Sequence, residues 1–212
     1  RYFALAGAHV GIDFRNKAPR AEELTAELRG LGVEVLVVGA DDIGGKSSIT
    51  AAESDHVFIA GMLPILSPSD TQEYLDNGLY GWALSRYSGL WVGFKAVTDT
   101  IELTKTVDVD INRVKIALPT DFEMPPGGLN SRQGGYYPLP MERRVVDFKL
   151  PAARAFACAN GLDRVIFDSE RRGLGIVSTG KAYLDVREAL RELGIDAARA
   201  RALGIRLYKV GM

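Results

Sequence analysis

Residues 41–102 read DDIGGKSSITAAESDHVFIAGMLPILSPSDTQEYLDNGLYGWALSRYSGLWVGFKAVTDTIE, and the rest of the chain is placed by reference to them. By residue type they spell loop, strand, turn, helix, strand, loop. Gly44-Gly45 and Ser47-Ser48 form a polar loop with no apolar period, so it is not core. Val57-Phe58-Ile59 and Met62 to Leu66 are apolar runs too short for free-standing helices, and they read as a buried edge-to-strand segment. Ser67-Pro68-Ser69-Asp70 is a helix start. Ser69 is placed to accept from the first free N–H groups, Asp70 faces the positive end of the dipole, and Gln72 stands as capping-box partner. Tyr74, Leu75, Leu79, Trp82, Ala83 and Tyr87 recur at helical spacing and predict one packed face, with Trp82 buried. Gly89 ends that helix, and Leu90 to Val97 predict a second strand.

Working toward the N-terminus, Val33 to Val38 is a β-branched run bounded by Gly39, the pattern of a buried parallel strand. Ala21 to Leu31 carries Leu24, Leu28 and Leu31 on one face and predicts a helix; Asp13 to Arg20 reads as a loop. Helix, glycine, strand is half of a βαβ unit. His9, among small apolar residues, reads as a structural or exposed histidine rather than a base.

Toward the C-terminus, Val114 to Leu118 predicts a strand, and DFEMPPGGLNSRQGGYYPLP after it is a long loop that prolines and glycine pairs keep out of helix and strand. A loop of that length is expected to be ordered by contact outside its own domain. Met141 to Ala159 reads as a helix carrying Arg143, Arg144 and Lys149, which Pro151 either kinks or reopens; Cys158 reads as a small buried residue. Leu162 to Phe167 is a short strand. Beyond the turn Glu170-Arg171-Arg172-Gly173 come strand 174–178, helix 182–193, helix 197–203 and strand 205–210, the opening of a second parallel α/β unit. The expected division is therefore residues 1–170 and 171–212.

The chain has 212 residues, 47% apolar and 25% charged, with a formal net charge of −1, enough for one packed core and part of another. Near neutrality supplies no basic field for a phosphate backbone and argues against nucleic acid as partner. No apolar run is long enough to cross a bilayer as a helix, and a single cysteine excludes an internal disulfide framework or a cysteine-ligated cluster; a reducing cytoplasm is the expected compartment. The start at Arg1 and the end at Gly211-Met212 read as a piece of a longer polypeptide.

Two polar segments fall at predicted strand ends, Asp41 to Ser48 and Thr98 to Thr100, and parallel sheets bind ligands beyond their carboxyl ends. Both would lie on one rim. Two readings of Asp41 to Ser48 stand side by side: a polar wall of a cofactor or substrate cleft, or a solvated loop in which Ser47 and Ser48 start a helix through Ala51-Ala52-Glu53. Thr179-Gly180-Lys181 reads as a plain strand-to-helix turn.

The loop Asp41, Asp42, Gly44, Ser47, Ser48, then Pro64 with PSDTQEYLD, the run Gly78 to Glu102, DFEMPPGGLN (121–130) and LGIVSTGKAYLDVREAL (174–190) together carry a resemblance. Over residues 40–212 the chain resembles the pyrimidine-domain region of the 2-oxoacid:ferredoxin oxidoreductases, most closely the indolepyruvate ferredoxin oxidoreductases; residues 2–40 match it badly. The resemblance implies a mainly parallel α/β sheet of the thiamine diphosphate-binding type, followed by the start of a second α/β domain. It implies a parent enzyme that oxidatively decarboxylates an aryl 2-oxoacid to acyl-CoA and reduces ferredoxin, using thiamine diphosphate, Mg²⁺ and 4Fe-4S clusters. The implied partners are the remaining domains of the parent chain, a second copy in a homo-oligomer, ferredoxin, the 2-oxoacid and CoA. Asp41, Asp42, Ser47, Ser48 and Thr98 are then the expected cofactor-side residues; the pyrimidine-contacting glutamate lies upstream of the match, and no catalytic residue is placed. This stretch by itself would hold the cofactor weakly or not at all. A non-catalytic scaffold related to the family is the alternative.

Overall fold

The computed structural model describes residues 10–14, 35–110, 112–129 and 138–212. The helix expected at 21–31 and His9 lie outside them. The first sheet has four parallel strands in the order β1-β2-β4-β3: β1 (Val10–Phe14), β2 (Val35–Asp41), β3 (Ile65–Leu66) and β4 (Val92–Val97). The expected inner strands, β2 and β4, are inner and parallel, with Leu36 opposite Val92 and Asp41 opposite Val97. β2 runs three residues past its predicted end and draws Asp41 into the strand, while β1 takes Asp13 and Phe14 from the expected loop.

Val57 to Ile59 is not a strand. It lies in α1 (Asp55–Ala60), which Asp55 opens with an acid in the first turn. Phe58, fully buried, explains the outcome: a Cβ on Gly39 or on Gly93 would lie 2.9 Å from its ring. Two glycines on paired strands make a seat for one phenyl ring, and that tertiary contact overrides the β preference of a short Val-Phe-Ile run.

The opposite face is covered by α2 (Thr71–Ser88). Its cap is shifted from the expected register: Asp70 accepts from the amide of Glu73 at 3.0 Å, and the Glu73 carboxylate reaches back to the amide and hydroxyl of Ser69, at 2.9 and 2.7 Å. Gln72 is employed elsewhere. Gly89, at φ 69°, closes the helix by donating to the carbonyl of Ser85. The buried face is also not the expected one. Gly81, Leu84, Ser85 and Ser88 pack inward, Trp82 is half-buried, and Leu75 and Leu79 are about 40% exposed (40% and 42%). Small residues let the helix approach the sheet closely: a Cβ on Gly81 would stand 2.7 Å from Leu36 Cδ1. Leu36, Leu66, Leu84, Val92 and Phe94 form the core there, with Ala153, Phe156 and Ala157 of a later helix.

Among the described residues, 103–110 and 112–129 form no strand, including Val114 to Leu118. They run as a strap held by side-chain amides. Gln72 bonds both the N–H and the C=O of Asp108 (2.7 and 3.2 Å), and Asn160 does the same for Ala117 (2.8 Å each). Each clamp imitates one rung of a ladder, which satisfies an extended backbone that has no neighbouring strand. Within the long loop, Phe122 packs edge-on against Tyr87 and Leu129 is buried; residues 130–137 lie outside the described residues.

From Pro138 to Ala159 the chain is helical: α3 (Thr98–Ile101) precedes it after β4, α4 spans Pro138–Arg144, a π-helical turn spans Val145–Lys149, and α5 spans Leu150–Ala159. Pro151 lies in the first turn of α5, where it needs no N–H donor, and the wider π turn sits directly before it. Cys158 is exposed, not buried.

The second sheet has the order β5-β7-β6, from β5 (Arg164–Phe167), β6 (Leu174–Thr179) and β7 (Ile205–Val210). β6 and β7 are parallel and joined through α6 (Gly180–Glu192) and α7 (Ala197–Leu203), as the sequence predicts, while β5 adds to β7 antiparallel. The sheet thus takes in residues 164–167, ahead of the division read at 170/171. Lys209 of β7 docks it on the first core: fully buried, its ammonium meets Glu73 and the Ser69 hydroxyl and lies 4.7 Å from the Tyr183 ring centroid. Arg164 reaches the same Glu73 at 2.9 Å. Gly180 (φ 51°) turns β6 into α6 where a Cβ would stand 2.8 Å from Ser67 Oγ.

Candidate functional site

The chain leaving β2 crosses one face of the first sheet through α1, while the chain leaving β4 passes to the other face, along α2. Adjacent parallel strands whose exits diverge leave a crevice between their carboxyl ends, where open α/β sheets bind ligands. Both polar segments lie there. Thr98 Oγ1 donates to the carbonyl of Asp41 at 3.2 Å, Lys46 pairs with Asp99, and Ser47 Oγ donates to Glu102 at 3.4 Å. The two strand ends are therefore one rim, tied at its mouth.

The five expected residues play unlike parts. Asp42 organises its own loop: its carboxylate accepts the amides of Lys46 (2.8 Å) and Ser47 (2.5 Å), and its carbonyl accepts those of Gly45 and Ala52 (3.1 Å each). Burial pushes this carboxyl up, but those amides, with Ser48, outweigh it and hold it below the usual carboxylate range. No helix begins at Ser47-Ser48; Ser47 is exposed and Ser48 half-buried. Asp41 points into the fold, accepting from Ser54 Oγ at 3.0 Å, and burial pushes its carboxyl up despite Ser54 and Lys95. Thr98 opens α3 on the rim.

Below the rim sits a group that the sequence reading passed over. Lys95 of β4 is buried, with its ammonium 2.7 Å from Asp55, 3.1 Å from Glu53 and 3.7 Å from Asp41. Burial pulls this lysine's pKa down, and the three carboxylates more than reverse it. The signal was available: a lysine inside the apolar run WVGFKAV needs buried acids, and DD and ESD are close by. Tyr74 adds a hydroxyl at the same end of β4, 2.8 Å from Thr100 Oγ1 and accepting from the Val97 amide at 3.2 Å; burial raises its pKa. Among the described residues no three acids, histidines or cysteines are grouped to hold a metal ion, and no helix is long and apolar enough to cross a membrane.

Residues 164–212 match the sequence model of the indolepyruvate oxidoreductase domain. The indolepyruvate oxidoreductase subunit IorA of Methanothermobacter thermautotrophicus is 28% identical over 193 residues, and that of Methanothermobacter marburgensis 25% identical over 193. In both, the alignment takes in 89% of this chain and 29% of the relative, so the chain spans under a third of their length. A solved structure of 2-oxoglutarate:ferredoxin oxidoreductase from Magnetococcus marinus, with 2-oxoglutarate, coenzyme A and succinyl-CoA bound, superimposes with a TM-score of 0.59 at 15% identity. That likeness, over 100% of this chain and 43% of the other, is one of fold. Domain match and relatives agree: residues 164–212 fit the indolepyruvate oxidoreductase domain, and most of the chain is similar to a section of the IorA subunits.

Proposed function

We propose that this chain is a section of a thiamine diphosphate-dependent indolepyruvate:ferredoxin oxidoreductase, and that the β2–β4 rim is its pyrimidine-side wall. The observation that carries the reading is the divergent exit of β2 and β4, with the Asp41 to Ser48 loop tied to Thr98, Asp99 and Glu102 across the crevice between them. The described residues do not fit a diphosphate. Both rim lysines are spent, Lys46 on Asp99 and Lys95 on Asp41, Glu53 and Asp55, and acids outnumber them. The diphosphate and its Mg²⁺ are therefore assigned to another domain of the parent, as are the iron–sulfur clusters. When bound, thiamine diphosphate supplies the carbanion that decarboxylates a 2-oxoacid. The part of this chain is to present a polar, acid-rich edge to a heterocyclic ring and to keep that edge in register through the Asp42 loop. We further place the division between the two units just ahead of Arg164, where the second sheet begins.

The test uses the full parent polypeptide with its partner chains. Ferredoxin reduction should require indolepyruvate, CoA and thiamine diphosphate together. Ser48→Leu should raise the half-saturating thiamine diphosphate concentration by about tenfold, the equivalent of one lost polar contact. Activity with an unchanged cofactor requirement in Ser48→Leu moves the site off this rim; failure to oxidise any aryl 2-oxoacid leaves the scaffold reading.

A further inference from the structure

Both backbone polar groups of Val97, the last residue of β4, are held by side chains. Along β4 the amides of Gly93 and Val97 point to the same side, because alternate residues of a strand face alike. Gly93 donates on that side to the carbonyl of Pro64 at 2.8 Å. β3 ends at Leu66, opposite Phe94, so among the described residues no strand reaches Val97 there. Tyr74 of α2 fills the place: its hydroxyl accepts the Val97 amide at 3.2 Å. The same hydroxyl lies 2.8 Å from Thr100 Oγ1, which donates to the carbonyl of Val97 at 3.0 Å. A threonine hydroxyl has one proton and a carbonyl only accepts, so the Tyr74 proton goes to Thr100. The three bonds close a ring through Val97 that runs in one direction. Thr100 is fully buried and Tyr74 half-buried, its aromatic ring 5.7 Å from that of Phe94.

This ring governs the step from β4 into the rim. Val97 precedes α3, a single turn (Thr98–Ile101) with no side-chain hydrogen bond at its cap. One turn of helix does not hold itself. Its first two residues are Thr98 and Asp99, which tie the rim to Asp41 and Lys46. We propose that Tyr74 is a positioning residue for the β2–β4 rim. Through Val97 and Thr100 its hydroxyl fixes α3 where Thr98 and Asp99 meet the Asp41 to Ser48 loop. On the reading of that rim as the pyrimidine-side wall, the hydroxyl thereby keeps the crevice shaped for a heterocyclic ring. Tyr74 acts through Val97 and Thr100 and reaches the crevice only by way of them. The helical spacing of α2 groups Tyr74 with residues that pack, yet packing against Phe94 needs only its ring, and the hydroxyl is what the rim uses.

The experiment uses the full parent polypeptide with its partner chains, and the variants Tyr74→Phe, Thr100→Val, Thr100→Ser and the double Tyr74→Phe with Thr100→Val. Without cofactor, amide exchange at Val97 and residues 98–102 should speed up severalfold in Tyr74→Phe and Thr100→Val, with the amides of β2 unchanged. In ferredoxin reduction each should raise the half-saturating thiamine diphosphate concentration about fivefold, the loss of one net hydrogen bond. Their kcat at saturating cofactor should stay within about twofold of the starting protein. Thr100→Ser keeps its hydroxyl and should behave as the starting protein. The double variant should be no worse than either single, because the two hydroxyls act as one unit. A lower unfolding midpoint and lower kcat at an unchanged half-saturating concentration would mark a role in stability alone and overturn the proposal. Unchanged exchange at Val97, or effects that add in the double variant, would break the ring itself. If Ser48→Leu raises the cofactor requirement and Tyr74→Phe does not, the rim stays the site and Tyr74 has no part in it. If neither variant changes that requirement, the site lies elsewhere and the positioning role falls with it.

Discussion

Among the described residues two lysines are buried on inner strands, and they are solved in opposite ways. Lys95, on β4, has three carboxylates around one ammonium, from β2, its exit loop and the first residue of α1. Lys209, on β7, shares one carboxylate, Glu73, with a second cation, Arg164, and that carboxylate belongs to α2 under the other sheet. The electrostatics follow the count. Around Lys95, burial lifts Asp41, and the surrounding acids lift the lysine above its ordinary value against its own desolvation. Around Lys209, burial pulls the lysine below its ordinary value, with Arg164 adding to it. Glu73, desolvated but receiving Lys209 and Ser69, is held below the carboxylate range. The two ends of the Lys209–Glu73 bond differ because the carboxylate collects four donor contacts while the ammonium has one anion. An excess of acid makes a cluster that binds protons tightly at the rim; an excess of base makes a weld between two sheets.

The weld should be the costlier to break. Glu73→Ala strands Lys209 without a counter-charge and should destabilise the protein by about 3–5 kcal/mol, the usual loss when one partner of a buried pair is removed. Glu73→Leu combined with Lys209→Met should recover most of that in urea unfolding, because an apolar pair has no charge to desolvate. A double variant as unstable as the single would mean that shape, not charge, joins the sheets.

Lys95→Met comes next, at about 2–3 kcal/mol. Asp41 then lies buried with only Ser54, but Glu53 and Asp55 are 45% and 35% exposed and can turn to water, so the loss is smaller. A loss as large as that at Glu73 would show that the comparison misjudges how open this cluster is.

The pH dependence should have opposite signs at the two acids. Glu73 is lowered in the fold, so its contribution is present above its ordinary value of 4.5 and is lost as pH falls through the folded value beneath it. Asp41 is raised above 3.8, so the fold gains stability as pH falls through that window and is opposed by the buried charge above it. Urea unfolding from about pH 6 down to about 3.5 should therefore flatten in Glu73→Gln and steepen in Asp41→Asn. Changes of the same sign in both would refute the difference in charge count.

What the sequence makes legible here is long-range order, and what it hides is which face wins. Gly39, Gly89 and the β-branched run before Gly39 place both inner strands and the end of α2, and strand, helix, helix, strand after residue 174 reads directly. The helix face is misread because its inward residues are Gly81, Ser85 and Ser88, chosen for close approach, while Leu75 and Leu79 face outward. Apolar periodicity does not register small residues. Phe58 is misread because its seat, two glycines 54 residues apart, is invisible in a local window. At the rim, the meeting of the two polar strand ends follows from parallel-sheet logic alone, whereas the inward turn of Asp41 needs Lys95, whose side of β4 is set only by the register with β2.

The smallest effect is expected where both partners touch water. Lys46 and Asp99 tie the two halves of the rim with side chains 64% and 31% exposed, and their hydrogen bond, then their attraction, raises the lysine above its ordinary value. An exposed pair of long side chains gains little after solvent screening and the loss of rotamer freedom. Lys46→Ala should therefore leave the unfolding midpoint unchanged. What it removes is a link between two segments that leave the sheet in opposite directions. Amide exchange should consequently speed up severalfold at residues 42–48 and 99–102, with β2 and β4 unaffected. The Asp42 carboxylate still holds the amides of Lys46 and Ser47, so the loop should loosen without unravelling, and Asp42→Ala in the same background should remove that remaining order. If Lys46→Ala leaves exchange in both segments untouched, the rim is set by Asp42 and the Thr98–Asp41 bond alone. If it lowers the midpoint, the exposed pair bears more of the fold than its solvent contact allows.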